Sequence, residues 1–310
     1  MDSMQERLVD LPTMVEDAHR SGLTTDQIRQ RVRSGEWQRL RRGAFLLPGG
    51  NQDAAVNDFE VQRRRHVSTA VAAARVRKGT VIAYESAALV HGIPLLSPVT
   101  DEVELVTTSG RWTGTRAGVH VRRLHVPPGH LEYGAALVTT PARTWLDLAC
   151  RGSFAQALAA GDFILCERLA SPTELAGLVE FAQSVRLPGR RRAERALAYL
   201  DPLRESVLES CSCAYFVTNR IPLPRAQVEI HDSVGRLIAR VDFLWKGRSA
   251  GHQVIGEADG RMKYERPDDL YAEKRREDRL RELGFSVVRW GFADLRTAQL
   301  AARLRQVLSS

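Results

Sequence analysis

The chain has 310 residues, 44% of them apolar and 26% charged, with 45 Lys and Arg against 37 Asp and Glu. That length admits two or three domains, and the composition can build a real core, so a wholly disordered, collagen-like or coiled-coil protein is excluded. Uncharged runs such as "ALVTTPA" and "GVHV" fall far below the roughly 18 apolar residues of a membrane span. The opening "MDSMQERLVDLP" has acids and lacks the apolar stretch of a secretory signal. The expectation is a cytoplasmic protein with no membrane partner.

The basic excess is local. Residues 25–42 hold six arginines against Asp26 and Glu36, and residues 186–195 hold five against Glu194, so each segment carries +4 and together they account for the net +8. Concentrated charge of this kind suits a nucleic-acid partner. The four cysteines, Cys150, Cys166, Cys211 and Cys213, fit no zinc spacing and read as small buried hydrophobes.

Three blocks and a linker are expected: 1–50, 51–185, a basic linker at 186–202, and 203–310. In the first, "LPTMVEDAHRSG" reads as a short helix closed by Gly22. Thr24 starts a second helix with Gln27 at capping-box spacing, and Gly35 ends it. "EWQRLRRGAFLL" then reads as a hairpin with a basic tip. Helix, turn, helix, basic hairpin is the order of a winged helix-turn-helix. Thr25, Ile28 and Val32 share the inward face of the second helix. The opposite face carries Asp26, Gln30, Arg33 and Ser34, with Gln27 beside them and Arg29 and Arg31 flanking it. Such a helix can read bases through Gln and Arg, while Arg39, Arg41 and Arg42 on the hairpin grip phosphates. Gln27, Arg29, Gln30, Arg31, Arg33, Arg39, Arg41 and Arg42 are the candidate contacts to double-stranded DNA.

The second block reads as an α+β module. "NDFEVQRRRHVSTAVAAARVRK" and "VIAYESAALVHGIPL" are helical, and "DEVELVTT" and "AGVHVRRL" alternate as strands. Thr140 and Pro141 open a helix at "TTPARTWLDLAC", and two more helices follow. His91, His120, His125 and His130 are scattered and read as surface or core histidines rather than ligands. The third block runs helix, three strands, helix, strand, helix, an α/β order suited to a central mixed sheet.

Acids fall at telling points in that last block. Asp242 ends an apolar strand, and Glu257 and Asp259, two apart, point to one face. Carboxylates there are costly unless paired or bound to a cation. Gathered from adjacent strands, they suit Mg²⁺ or Mn²⁺, which polarises a phosphate and activates water. Glu209 on the preceding helix completes the set, and Lys263 is placed to offset charge on the phosphate or the attacking water.

These residues carry a resemblance. "GLTTDQIRQRVRSGEWQRLRRGAFLL" resembles the winged-helix domain of AbiEi-family antitoxins from type IV toxin–antitoxin systems, and "SAALVHGIPL" and "TTPARTWLDLA" are similar to the segment that follows there. "SVLES", "PLPRAQVEI", "RVDFLW", "GEADGRMKY" and "AEKRREDRLRELGFSVVRW" look like the Vsr-like branch of the PD-(D/E)xK nucleases. The resemblance implies a nuclease-type α/β fold, Asp242 and Glu257 as metal-binding acids and Glu209 as the helix-borne acid. It also implies a Lys two residues after the second acid, where this chain has Asp259. Lys263 and Lys274 are the candidates to replace it. If neither does, the domain binds DNA or a partner without cutting.

Three functions follow: a Mg²⁺-dependent DNA endonuclease, a repressor and antitoxin whose nuclease-like fold is a scaffold, or a protein that engages a nucleotidyltransferase-like toxin through its middle module. The acid cluster favours the first, and the displaced Lys favours the second.

Overall fold

The computed structural model describes residues 11–47, 57–109, 112–124, 129–232, 234–249, 252–259, 275–276 and 278–309. The chain is an α/β protein that divides into two compact units, residues 1–148 and 149–310. The first unit thus includes both the segment read as a winged helix and much of the middle block. The second starts well upstream of the expected 203.

In the first unit, β1 (Thr13–Met14), α1 (Val15–Arg20), α2 (Thr25–Arg33), β2 (Gln38–Arg41) and β3 (Ala44–Leu46) follow one another. Gly22 and Gly35 stop the two helices with φ of 86° and 77°, a region L-residues avoid. Thr24 caps α2 through the expected reciprocal box with Gln27. Ala18, Ile28, Trp37 and Phe45 form a small core, with Val32 packed against it. Two readings change here. Thr13 and Met14, expected as helix, pair with Phe45 and Ala44 as a third strand. Thr25, expected on the inward face, is exposed.

The unit continues through α3 (Asp58–Val76), β4 (Thr80–Ile82), α4 (Tyr84–His91), β5 (Val103–Thr107), β6 (Gly114–Arg116), β7 (Val119–Arg123), β8 (His130–Tyr133) and β9 (Ala136–Thr139) to α5 (Pro141–Arg151), within which the division between the units falls. Asn57 caps α3 by accepting from the Glu60 N–H, and Thr140 accepts from the Arg143 N–H at the start of α5. Six strands form a mixed sheet in the order β6-β7-β5-β4-β9-β8. Val67, Ala70 and Val71 of α3 and Leu89 and Val90 of α4 join Leu105, Val121 and Val138 of the sheet in one core.

"VIAYESAALVHGIPL" is therefore not a single helix. Val81 and Ile82 lie in the middle of the sheet, between β5 and β9, and only Tyr84–His91 is helical. A short apolar run has no period that separates strand from buried helix.

The second unit opens with three helices: α6 (Phe154–Cys166), α7 (Pro172–Ser184) and α8 (Arg190–Leu197). The last corrects the expected linker at 186–202. Arg191, Arg192 and Arg195 are exposed, Arg190 is half-buried, and Ala193 and Ala196 are fully buried. A run of arginines suggests a solvated tether, but alanines three apart make a helix face that packs. Then come α9 (Val207–Thr218), β10 (Arg225–His231), β11 (Leu237–Lys246), β12 (Gln253–Ala258), β13 (Phe285–Trp290) and α10 (Gln299–Ser309), with residues 278–282 also helical.

The sheet order is β10-β11-β12-β13, antiparallel except for the parallel β12–β13 pair. Phe216, Phe243, Trp245 and Trp290 pack edge-to-face, tilted or stacked, with ring centroids 5.2 to 6.3 Å apart. Val228, Ile230, Val241, Ile255 and Leu280 form a second cluster. No helix among the described residues is long and apolar enough to cross a membrane.

Candidate acidic centre and basic helix–hairpin

In the first unit the capping box fixes where α2 begins, and Ile28 anchors it to the small core. Gln27, Arg29, Gln30 and Arg33 are exposed, and Arg31 is half-buried. They are not equivalent. The Gln27 side-chain oxygen accepts from the Thr24 N–H at 2.8 Å and is committed to the cap. Arg29 pairs with Asp26 at 3.0 Å. Arg31 pairs with Glu36 at 3.4 Å and lies over the Trp37 ring. Among the described residues the side chains of Gln30 and Arg33 make no hydrogen bond or ion pair. On the hairpin, Arg39 and Arg42 are exposed, whereas Arg41 is half-buried.

In the second unit, Ser206 caps α9 and accepts from the Glu209 N–H at 3.2 Å, which holds Glu209 in the first turn of the helix. There the helix N-terminus favours a negative charge. Glu209 is buried, and one carboxylate oxygen accepts from the Glu205 N–H at 3.2 Å and from the Gln227 amide at 2.9 Å. The same Gln227 nitrogen lies 3.5 Å from Asp242. One amide thus spans two carboxylates. The other Asp242 oxygen accepts from the Ala258 N–H at 2.8 Å.

Asp242 does not end its strand, as the sequence suggested. It lies mid-strand, because β11 runs on to Lys246. The register Phe243↔Gly256 brings Asp242 opposite Glu257, and cross-strand neighbours share a face. Glu257 pairs with Arg276 at 3.5 Å. Burial raises the Asp242 carboxyl above its usual range; the Ala258 N–H opposes this, the Glu209 charge adds to it, and Gln227 and Arg276 oppose it.

Glu209, Asp242 and Glu257 therefore come from α9, β11 and β12 to one region. Asp259 follows the end of β12, where its backbone N–H donates to the Trp290 carbonyl. Lys263 and Lys274 lie outside the described residues, as does His125. Among the described residues no three His, Cys, Asp or Glu side chains stand close enough to hold a metal ion by themselves. The buried Cys211 thiol, pushed up to about 11 by burial, behaves as a hydrophobe.

Two residues at this centre escaped the sequence. Gln227 has φ of 51° within a strand, a left-handed conformation unusual for a side chain of its size. Such strain persists only where the surroundings enforce it, and it marks positions worth functional attention. The alternation of β10 places Gln227 on the polar face but not against two acids. Arg276 was one more charge in "AEKRRED"; it is the described cation beside Glu257.

No family model matches this chain, and no curated protein matches it. Among solved structures, the RV2827C protein from Mycobacterium tuberculosis aligns with 64% of this chain and 82% of its own length, at 17% identity and a TM-score of 0.32, a likeness too distant to assign a fold or a function.

Proposed function

We propose that the chain is a DNA-binding protein whose N-terminal helix and hairpin engage a duplex and whose second unit carries a metal-dependent centre that cuts phosphodiesters. The observation that carries this reading is the single Gln227 amide spanning Glu209 and Asp242, with Glu257 next in cross-strand register. Mg²⁺ typically takes one or two carboxylates and completes its shell with water and substrate phosphates. An all-oxygen pair of acids, one with its carboxyl raised by burial, fits that demand without a ready-made cage. Asp242 and Glu257 would hold the ion, with Glu209 and Asp259 in support. Bound there, the ion would polarise a phosphate oxygen and activate water. Gln227 would orient the acids. Arg276 would offset charge on the phosphate.

The test uses the full chain. Millimolar Mg²⁺ or Mn²⁺ should stabilise the fold by about 2.7 kcal/mol at a hundred times the dissociation constant, and so raise the melting temperature in a concentration-dependent way. Asp242→Asn or Glu257→Gln should remove that effect and abolish nicking. The Asp242 carboxyl is raised in the folded state, so its ionised form opposes folding at neutral pH, and that penalty fades as pH falls through the folded value. Asp242→Asn should therefore be at least as stable as the wild type in chelator. Identical melting in Mg²⁺, Mn²⁺ and chelator would sink the centre.

Asp259, two residues after Glu257, favours a second reading: a repressor and antitoxin with a nucleotidyltransferase-like toxin partner and a silent nuclease-like unit. Stabilisation by metal without nicking of varied DNA supports it. Under either reading, Gln30→Ala or Arg33→Ala should cost about 1–3 kcal/mol on a specific site and little on random DNA. Equal losses on both DNAs in a binding titration would reduce these residues to phosphate contacts.

A further inference from the structure

The first unit contains a recess that the DNA-binding reading does not use. Its volume is about 580 Å³, and it is lined by Val32 of α2, Trp37 just before β2, Arg39 of β2, Leu46 of β3, Leu47, and Val61 of α3. Leu47 and Val61 are exposed, whereas Trp37 is only 5% exposed. The Phe45 ring at 5.6 Å and the Arg31 guanidinium at 5.4 Å hold the indole in place. Its N–H finds no acceptor among the described residues, yet it is not sealed from solvent. Arg39 is exposed and makes no ion pair or hydrogen bond among the described residues. Glu36 also borders the recess, but Arg31 pairs with it at 3.4 Å, and Arg64 of α3 adds a further positive charge.

A cavity of roughly 300–1,000 Å³ with apolar walls and a few placed polar groups is the usual form of a small-molecule site. The groups here define what it takes. An indole N–H and a guanidinium only donate, so the ligand must accept, and a carboxylate makes the stronger, charge-assisted bond. Covering Leu47 and Val61 removes apolar surface from water, so the rest of the ligand must be apolar. An indole already fixed by its neighbours loses little freedom when a ligand arrives, which favours binding.

We propose that this recess binds a small apolar carboxylate, an aromatic or short acyl acid. Its body would lie against Leu46, Leu47 and Val61 and its carboxylate on the Arg39 guanidinium, with the Trp37 N–H as a second donor. Arg39 is also a candidate phosphate contact, so a bound carboxylate competes with the DNA backbone for the same guanidinium and weakens DNA binding. That consequence rests on the DNA-binding reading; the ligand site itself does not.

The experiment titrates the full chain with 2-naphthoate and with octanoate by calorimetry, with 2-naphthamide and octanamide as uncharged controls. At least one acid should bind and raise the melting temperature with concentration. Its amide should bind roughly tenfold more weakly, the difference between a charge-assisted and a neutral hydrogen bond. Arg39→Gln should bring the acid down to the level of the amide. Val61→Gln, which puts a polar group on the apolar wall, should weaken acid and amide alike. Both residues are exposed, so both variants should melt like the wild type. In a second arm, binding of a labelled random duplex is followed against salt, with and without saturating acid. Loss of one phosphate contact lowers the slope by about 0.9, or roughly eightfold in affinity at 0.1 M salt. No binding of either acid at millimolar concentration, or equal binding of acids and amides, would overturn the site. Acid that binds but leaves duplex affinity and slope unchanged would overturn the competition with DNA. If the acid binds and the wild type binds no duplex at all, the DNA-binding reading fails and the ligand site stands.

Discussion

Asp162→Ala should destabilise the second unit by about 3–5 kcal/mol, the cost of breaking a buried ion pair by removing one partner. Asp162 on α6 is fully buried. It lies 3.1 Å from the Arg204 guanidinium, accepts from the Ser210 hydroxyl at 2.7 Å and from the Asp201 N–H at 2.8 Å. This one carboxylate ties α6 to the segment before α9 and to α9 itself. Truncation leaves a buried guanidinium and two buried donors without their acceptor. For a unit of this size the loss corresponds to a melting shift on the order of 10 °C. Asp162→Leu combined with Arg204→Met should lose much less, because no charge is then left buried. A double variant as unstable as Asp162→Ala would show that packing, not the orphaned charge, dominates.

The same residue makes a pH prediction. Burial pushes Asp162 up to about 6 from 3.8, against the opposing pull of Arg204. Between those two values the folded form binds more protons than the unfolded form, so this group's contribution to stability falls as pH rises through the window. Asp162→Asn should flatten that part of the stability curve. Parallel wild-type and variant curves between pH 4 and 6 would refute the shift.

Gly256→Ala should cost toward the upper end of about 1–3 kcal/mol, the usual range for overpacking a filled core. A Cβ at Gly256 would meet the Trp290 ring at 2.5 Å and the Trp245 ring at 2.6 Å. Neither indole can yield freely. Trp290 donates to the Ser212 hydroxyl at 2.7 Å, and Trp245 donates to the Pro222 carbonyl at 2.6 Å. Both are buried among Phe216 and Phe243. The strand itself must therefore move, and it carries Glu257 at the next position. The variant should lose metal-induced stabilisation as well as stability, whereas Ile255→Val, on the same strand but facing the other cluster, should cost about 0.5–1.5 kcal/mol and keep the metal effect. Urea unfolding with and without Mn²⁺ reads both quantities. A Gly256→Ala protein with wild-type stability would mean that the aromatic cluster is looser than its hydrogen bonds imply.

How much of this was legible beforehand differs by element. The α2 boundaries followed from Thr24, Gln27 and Gly35, because caps and stops act over three or four residues and leave local signatures. The strands β10, β11 and β12 were expected from their segments, Asp242 stood out as an acid in an apolar, β-rich strand, Glu257 as one of two acids sharing a strand face, and Glu209 was added from the preceding helix. What failed was decided at longer range. Thr13 and Met14 are a strand only because Phe45 and Ala44 offer them an edge. Val81 and Ile82 are a strand only because β5 and β9 flank them. The arginines at 190–192 belong to a helix because Ala193 and Ala196 find a surface to pack on.

The candidate sites divide the same way. The sequence by itself determined which acids and arginines are available and on which elements they lie. The tertiary structure alone decided their partners: Gln227, which has a left-handed φ and spans Glu209 and Asp242, and Arg276 beside Glu257. The physical reason is that pattern and capping are short-range and written in neighbouring residues, whereas register, backbone strain and the meeting of distant charges arise only once the sheets have formed.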